Sequence, residues 1–301
     1  MASLTLGAIP SSPGRNDVGG DKGELSSGIL LHGSRGDDGR LNYDGMNTNV
    51  FFGNGGGQQR VFVFNSVSIE EVVIDTGTSS AETETGGANM NIVPKDGGNN
   101  LSVYGTANFT NSSLSTKSIP DALAKRGVQP TASVKKIWDY GVGVGGPIRQ
   151  DKIWFYTANR WWGAQNNAPG AYFNKSTVWY RYEPDLSRPA YGNDYFVDNA
   201  VRFTVQAGEK NKFTQEIHLQ HGCQCSDSVS ATSSPEATQD FQYGPQYLIQ
   251  TTWSSARTSK LLLQAGATFM LQGVAFSNGT GVRPNYFIGA GTRALPALQQ
   301  E

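Results

Sequence analysis

From Leu101 onward, the chain repeats segments in which apolar and polar side chains alternate. In the segment 197–207, valine and phenylalanine occupy one set of alternate positions, whereas Asp198, Arg202 and Thr204 belong to the other. Successive side chains of a β-strand point to opposite faces, so each segment predicts a strand with one apolar and one polar face. The segments are about ten residues long, which is the length that a tilted membrane-spanning strand requires.

The connections between these predicted strands alternate in length. Short turns are predicted at 148–151, 208–211 and 256–259, and long polar connections at about 110–137, 161–196 and 222–245. Membrane barrels sort their loops in this way because the two barrel ends face different compartments. Long unstructured connections count against a compact soluble domain. The pattern predicts about seven antiparallel strands.

The composition favours strands and excludes several classes of protein. The chain has 37 glycines among 301 residues, and only 16% of its residues are charged. Gly and Asn weaken helices, whereas aromatic residues and Thr suit a pleated surface, so we expect a mainly β chain. No apolar run reaches the roughly 18 to 20 residues of a spanning helix. The net charge of −1 provides no basic field, so nucleic acid is not expected as a partner.

The first 98 residues follow a different pattern, which predicts a separate compact domain at 1–98 before the strand region at 99–301. This part is rich in Gly and Asp and has short apolar runs. Short strands are predicted at 27–33 and 66–75, a strand between two turns at 37–45, and a Gly-rich loop at 51–59. Such a domain is too polar to span lipid.

The reactive side chains predict no catalytic or metal site. Cys223 and Cys225 are predicted to be free thiols, with a loop disulfide as the alternative. His218 and His221 give weak ligand spacing, so a metal ion is not expected. The histidines accompany no Gly-x-Ser-x-Gly turn and no distinct pair of carboxylates, so we expect no enzymatic activity and no cofactor.

Trp161 and Trp162 belong to an aromatic-rich stretch at 154–182. Three interpretations remain open from the sequence. The rings are ordinary packing, or they form an aromatic girdle at a membrane interface, or the outermost of them stack on a sugar-like ligand.

Four segments, in order along the chain, resemble the TonB-dependent outer-membrane receptors, specifically the Oar-like subgroup. The segment 66–77, SVSIEEVVIDTG, resembles a late strand of the family's plug domain, and 81–99, AETETGGANMNIVPKDGGN, is similar to the end of the plug. The segment 145–155, GGPIRQDKIWF, resembles two barrel strands around a periplasmic turn, and 31–45, LHGSRGDDGRLNYDG, matches an early plug pattern more loosely. The chain departs from the family at Pro94, where threonine is common.

The resemblance implies an α+β plug domain followed by an incomplete antiparallel transmembrane β-barrel of about seven strands. It implies import of an external ligand through the bacterial outer membrane, with membrane lipid and a TonB-type energy-coupling protein as partners. The segment 1–10 does not have the pattern of an export signal, and a plugged transporter needs about 22 strands, so we expect a receptor fragment.

Two sets of residues receive roles from this interpretation. Arg35, Asp44, Gly55, Gly56, Trp161 and Trp162 are the candidate ligand-binding residues. Arg202, Lys212, Glu216 and Gln264 are expected to line the interface between plug and wall.

The alternative is a secreted or surface β-rich module that binds carbohydrate or acts as an adhesin. In such a module, the apolar faces of the strands would pack against a second sheet rather than lipid. The side chains that discriminate between the two are Val201, Phe203, Leu261, Leu263 and Phe269.

Overall fold

The computed structural model describes residues 8–10, 29–31, 34, 38–48, 62–75, 87–114, 133–176, 181–227 and 229–278. Three predicted ligand-binding residues, Arg35, Gly55 and Gly56, lie outside these ranges, as does the Gly-rich loop. No helix in the described residues is both long enough and apolar enough to cross a membrane.

The N-terminal part forms two small sheets. In the first, β1 (Ala8–Pro10) pairs antiparallel with β2 (Ile29–Leu31). The second has the order β4-β3-β6-β5, with a parallel pair between β3 and β6. Its strands are β3 (Arg40–Tyr43), β4 (Met46–Asn47), β5 (Ile69–Asp75) and β6 (Asn89–Pro94), and a 3-10 turn at Ser66–Ser68 precedes β5.

The second part is one seven-stranded antiparallel sheet in which the strands follow chain order. Its strands are β7 (Ser102–Asn111), β8 (Ser133–Arg149), β9 (Ile153–Asn174), β10 (Pro184–Ala207), β11 (Asn211–Asp227), β12 (Gln239–Thr258) and β13 (Leu261–Asn278). The predictions of a mainly β chain and of about seven antiparallel strands are confirmed.

The connections keep the predicted alternation of short and long. Short turns lie at 150–152, 208–210 and 259–260, and longer connections at 112–132, 175–183 and 228–238. The connections predicted at 161–196 and 222–245 are wrong in their extent. The first is shorter because β9 continues to Asn174 and β10 begins at Pro184. The second is shorter because β11 continues to Asp227 and β12 begins at Gln239. These strand ends carry no regular alternation of apolar and polar residues from which the sequence could predict them.

The seven-stranded sheet has an inner face that contacts the N-terminal part, here called the inner layer (residues 38–48, 62–75 and 87–98). Tyr43, Phe62 and Ile92 of the inner layer form one buried cluster with Leu248 of β12. A second cluster joins Val63 to aromatic side chains of β9, β10 and β12. The core of the molecule therefore lies between the two layers, in small apolar clusters.

Glycines on β8 let the inner layer approach closely. A Cβ atom on Gly141 would lie 2.5 Å from the Cγ2 atom of Val67, and one on Gly143 would lie 3.1 Å from its Cγ1 atom. Both glycines therefore keep room for Val67, which is buried against Tyr156 and Ala158.

The outer face of the sheet exposes large apolar side chains. Examples are Val103 (69% exposed), Phe109 (52%), Phe203 (38%), Leu261 (49%), Leu263 (38%) and Phe269 (57%). Val201 is half-buried. Within the described ranges, every strand of this sheet belongs to the single seven-stranded layer, and no second sheet covers that face. The outward faces predicted by alternation are confirmed.

The expectation of two free thiols is wrong. Cys223 and Cys225 form a disulfide on β11, with their Cα atoms 5.3 Å apart. Alternate residues of a strand point to the same side, and this separation lies within the range that a disulfide requires.

Candidate functional site

Ionisable and polar side chains join the inner layer to the sheet. We call this set the interlayer network; it consists of Tyr43, Asp44, Asn65, Asp96, Asp198, Arg202, Lys212, Glu216 and His218. The inner layer supplies the first four, and β10 and β11 supply the rest. The register of the hairpin places Arg202 opposite Glu216 and Asp198 opposite Gln220, all on the inner face.

The buried half of the network centres on His218. Its Nδ1 atom lies 3.1 Å from Oδ1 of Asp198, and its Nε2 atom lies 2.9 Å from Oε1 of Glu216. All three side chains are almost completely buried. A neutral imidazole has only one N–H group, so two ionised carboxylates both bind it favourably only when both of its nitrogens carry protons. The geometry therefore suits an imidazolium held between two wall carboxylates.

Two inner-layer residues reach this buried half. The hydroxyl of Tyr43 donates a 2.6 Å hydrogen bond to Glu216, and the amide of Asn65 donates a 2.9 Å bond to Asp198. Burial, followed by the nearby Glu216 carboxylate, raises the pKa of Tyr43 well above its usual value, so the phenol stays protonated. The ring of Tyr43 also stacks on Phe64 at 5.0 Å, which fixes its orientation.

The second half of the network centres on Arg202. Its guanidinium donates to Glu216 at 2.6 Å, to Asp96 at 2.6 Å and to Asp44 at 2.9 Å. One wall side chain thus binds two inner-layer carboxylates that are far apart in sequence. A guanidinium has five N–H donors in a fixed planar arrangement, which suits it to such multiple pairing.

Asp96 lies at the more exposed edge of this half. It also accepts hydrogen bonds from Lys212 and Thr204, each at 3.0 Å. Partial burial acts to raise the pKa of Asp96, but the charge of Arg202 and the bonds from Arg202 and Lys212 outweigh it and lower the pKa. Asp96 is therefore ionised at neutral pH.

Two cavities flank Lys212 near the short turns. One, of about 340 Å³, lies between Asp44 and Met46 of the inner layer and Gln264 of β13. The other, of about 300 Å³, lies beside Asp96 and Trp154. The two halves of the network therefore differ in hydration: the His218 half is closed, and the Lys212 half borders open space.

The arrangement is suited to holding two layers in one relative position. Charges removed from water are tolerated only when they are paired and hydrogen-bonded, and removing one member leaves its partner uncompensated. Displacement of the inner layer would separate Tyr43, Asn65, Asp44 and Asp96 from the wall together. The network therefore stabilises the joined arrangement of the two layers.

The structure places the predicted interface residues against the inner layer. Arg202, Lys212 and Glu216 contact inner-layer side chains directly, and Gln264 lines a cavity against the inner layer. Asp44, predicted to bind ligand, has its carboxylate bound to Arg202 beside that cavity.

The two tryptophans predicted to bind ligand lie on opposite faces of β9. Trp161 is 49% exposed on the outer face, with its ring 5.7 Å from that of Trp138 and 5.9 Å from that of Tyr140. Trp162 is buried on the inner face and stacks on Phe196 at 5.7 Å. This placement does not support a shared ligand-binding surface. It agrees with an interfacial girdle for Trp161 and with packing for Trp162.

Sequence reasoning missed His218, Asp198, Tyr43 and Asn65 as members of the site. A signal for two of them was present in the predicted hairpin. The short turn at 208–210 sets the register of the hairpin, which places Asp198 on the same face as His218 and two residues from its cross-strand partner, Ala200. Asn65 and Tyr43 are 133 and 173 residues away from their partners Asp198 and Glu216, and no local sequence pattern predicts such contacts.

No protein-family model and no curated protein matches the chain. Solved structures do match, among them three crystal structures of mutants of the ferric enterobactin receptor PfeA from Pseudomonas aeruginosa, one of them in complex with enterobactin. The TM-scores are 0.52, 0.53 and 0.54, each at 12% sequence identity.

These matches cover 86%, 89% and 92% of this chain, but only 37%, 41% and 42% of the receptor chains. The chain therefore spans about two-fifths of the length of the receptors that it matches. At this identity the likeness concerns the fold. The fold of this chain resembles the part of the ferric enterobactin receptor that the matches cover.

Proposed function

We propose that residues 1–98 are the plug and residues 99–301 the first wall strands of a TonB-dependent outer-membrane receptor. The receptor imports an external ligand, and an inner-membrane TonB-type partner draws on the proton-motive force to open it. The observation that carries this proposal is the distribution of polarity on the seven-stranded sheet. Charges such as Asp198 and Glu216 are buried inside, whereas Phe203 and Phe269 are exposed outside.

A lipid environment accounts for this distribution. In water, a continuous face of exposed apolar side chains would favour aggregation or association. In hydrocarbon, the same face is solvated, and the backbone is satisfied by the neighbouring strands. Among the described strands, β7 and β13 have one neighbour each. Open edges are not stable in lipid, so further strands are expected to complete the wall.

The interlayer network supplies the closed state of the transporter in this proposal. An equilibrium between two states shifts only as far as a ligand or partner binds them differently. The paired charges around Arg202 and His218 favour the closed state strongly. External ligand alone is therefore insufficient, and work from the energy-coupling partner is needed to separate the layers.

We also propose that the receptor belongs to the Oar-like subgroup. The three sequence segments at 66–77, 81–99 and 145–155 support this assignment. The secreted binding module, in contrast, requires a second sheet over Phe203, Leu263 and Phe269. Their exposure favours the receptor instead.

A cross-link between the layers tests the proposal. A Cβ atom at Gly141 would lie 2.5 Å from Cγ2 of Val67, where a cysteine sulfur at position 67 would be. The double variant Val67→Cys, Gly141→Cys should therefore form a disulfide. We expect the oxidised receptor to reach the outer membrane, shown by heat-modifiable gel migration, and to lose energised import until a reductant is added.

The matched control joins two wall strands and leaves the inner layer free. Thr214 and Thr252 are hydrogen-bonded neighbours on β11 and β12. The double variant Thr214→Cys, Thr252→Cys should import normally when oxidised. Equal import by both oxidised variants would contradict a moving plug, and a product found only in the soluble fraction would contradict the membrane location.

A further inference from the structure

Gln220 of β11 holds the main chain of the inner layer. The N–H of Val63 donates to Oε1 of Gln220 at 2.8 Å, and Nε2 of Gln220 donates to the carbonyl of Val63 at 2.6 Å. Both residues are buried. The glutamine amide thus binds one residue's donor and acceptor together, as a neighbouring β-strand would. Nothing in this contact depends on the side chain of the residue that is bound.

Two further wall side chains also contact main-chain groups of the inner layer. Nε2 of Gln250 donates to the carbonyl of Tyr43 at 2.8 Å, and the hydroxyl of Tyr156 donates to the carbonyl of Val67 at 3.0 Å. The inner face therefore recognises polypeptide backbone at three places.

Gln246 is the direct cross-strand partner of Gln220, on the adjacent strand β12 and on the same face. Its side chain is fully buried, yet neither Nε2 nor Oε1 has a hydrogen-bond partner among the described residues. A buried amide without partners destabilises a fold, and such groups in native proteins call for an explanation. Opposite residues on neighbouring antiparallel strands lie close enough for one ligand to contact both.

We infer that Gln220 and Gln246 form a binding site for the main chain of an extended peptide, and that the imported ligand is a peptide. This inference rests on the proposed function. When the inner layer withdraws, Gln220 is released from Val63, and two adjacent amides face the lumen. A cargo peptide then takes the place of the Val63 backbone and also satisfies Gln246. The geometry favours a peptide over a glycan because Gln220 already binds a peptide unit in this way.

The probes for the test separate recognition of the peptide backbone from recognition of side-chain sequence and from recognition of a glycan. The first is a fluorescein-labelled decapeptide of alternating Ser and Val, the second is its scrambled sequence, and the third carries N-methyl groups at alternate backbone nitrogens. A labelled maltodextrin of similar length is the glycan probe. Each is offered to cells that make the intact receptor, with and without the energy-coupling partner.

We expect energised uptake of the first two peptides at equal rates, and at least tenfold lower uptake of the N-methylated peptide and the maltodextrin. N-methylation removes the N–H groups that the glutamine carbonyls bind. Equal uptake of the N-methylated peptide, preferential uptake of the maltodextrin, or no peptide uptake by a receptor that reached the outer membrane would overturn the inference.

The variant Gln246→Leu separates a binding role from a structural one. It removes the unpaired buried amide and breaks no side-chain hydrogen bond among the described residues, so the melting temperature should rise while peptide uptake falls at least tenfold. Gln242→Leu, the same change at an exposed position of β12, should alter neither. A fall in melting temperature or unchanged uptake in Gln246→Leu would overturn the inference.

The two proposals fail in different ways. If the cross-linked layers still import, or the protein never reaches the outer membrane, the transporter itself is contradicted. If the receptor assembles and the cross-link blocks import, but the peptide is not taken up, only the peptide inference is contradicted.

Discussion

The two faces of the seven-stranded sheet reverse the usual rule of burial. On β10, Arg202 is 6% exposed, whereas its neighbour Phe203 is 38% exposed. Both residues follow the same period-two alternation, so alternation by itself does not say which face is inside. The environment therefore determines which face lies inside. Phe203 is stable on the outer face because hydrocarbon solvates it, and Arg202 is stable on the inner face because carboxylates pair with its charge.

The inner face also divides into two unlike halves. Around His218, side chains are closed off from solvent, and every charge depends on a protein partner. Around Lys212, the side chain is 43% exposed and borders two cavities. Comparable substitutions should therefore lower the free energy of unfolding strongly around His218 and weakly around Lys212.

The largest loss of unfolding free energy is expected from His218→Leu. The change leaves Asp198 and Glu216 as two buried carboxylates with their shared cation removed. Breaking a buried charge pair in this way costs about 3–5 kcal/mol. Urea unfolding in detergent micelles measures the free energy of unfolding. His221→Leu, at an exposed position of the same strand, should change that free energy by less than about 0.5 kcal/mol. Similar losses in both variants would contradict the special role of the buried half.

A charge on the outer face should have the next largest effect. Ile217 is 38% exposed there, on the part of β11 that we place in lipid. We expect Ile217→Arg to destabilise the assembled wall by about 2–4 kcal/mol and to reduce the heat-modifiable form in outer-membrane fractions. The control is Glu209→Arg, which places arginine in a short exposed turn. Normal assembly of Ile217→Arg would show that this face is in contact with water.

Tyr43→Phe should have an intermediate effect. It removes the hydroxyl that donates to Glu216 but keeps the ring that stacks on Phe64. A hydrogen bond to a charged group contributes about 1.5–3 kcal/mol. The expected loss of unfolding free energy is in that range, and Tyr140→Phe on the outer face is the matched control. A loss no larger than the control's would mean that Tyr43 does not join the layers.

The smallest effect is expected at the hydrated half. Lys212→Gln should cost less than about 1 kcal/mol, because exposed ion pairs contribute little. Acidification should also lower the free energy of unfolding, because the stabilising contribution of Asp96 is lost. Its pKa is lowered in the folded protein, so its stabilising contribution is complete above the usual aspartate value of about 3.9 and is lost as pH falls through the lowered pKa.

The predicted direction of this pH dependence is tested by comparing the wild type with Asp96→Asn across pH. The difference in unfolding free energy should stay constant from pH 7 to about pH 5 and shrink only below about pH 4. A difference that already disappears near pH 6 would show that Asp96 does not carry the pH dependence.

Period-two alternation was sufficient to predict most of the wall. It gave the outward direction of Phe203, Leu263 and Phe269 and the inward direction of Arg202 and Glu216, because pleating fixes which residues share a face. Alternation does not predict the ends of β9 and β10, because a strand that extends beyond lipid needs no continuous apolar face. The sequence does not predict the Cys223–Cys225 disulfide over free thiols, because sequence alone does not give the local Cα separation.

The interlayer network was predicted only on its wall side. Arg202 and Glu216 could be assigned to one face from the hairpin, but their partners come from turns and strand ends of the inner layer. Asp44 follows β3 and Asp96 follows β6, and only the pairing of β3 with β6 brings the two carboxylates to one guanidinium. Contacts of this kind depend on tertiary packing and leave no local signature.

The most direct measurement concerns the environment of five consecutive side chains on β10. Each position from 201 to 205 is replaced singly by a spin-labelled cysteine in the membrane-assembled protein. Collisions with oxygen report lipid, and collisions with a water-soluble nickel chelate report water. We expect labels at 201, 203 and 205 to meet oxygen but not nickel, and labels at 202 and 204 to be shielded from both. Strong collisions with nickel at 201, 203 and 205, or shielding there from both reagents, would contradict a wall that faces lipid.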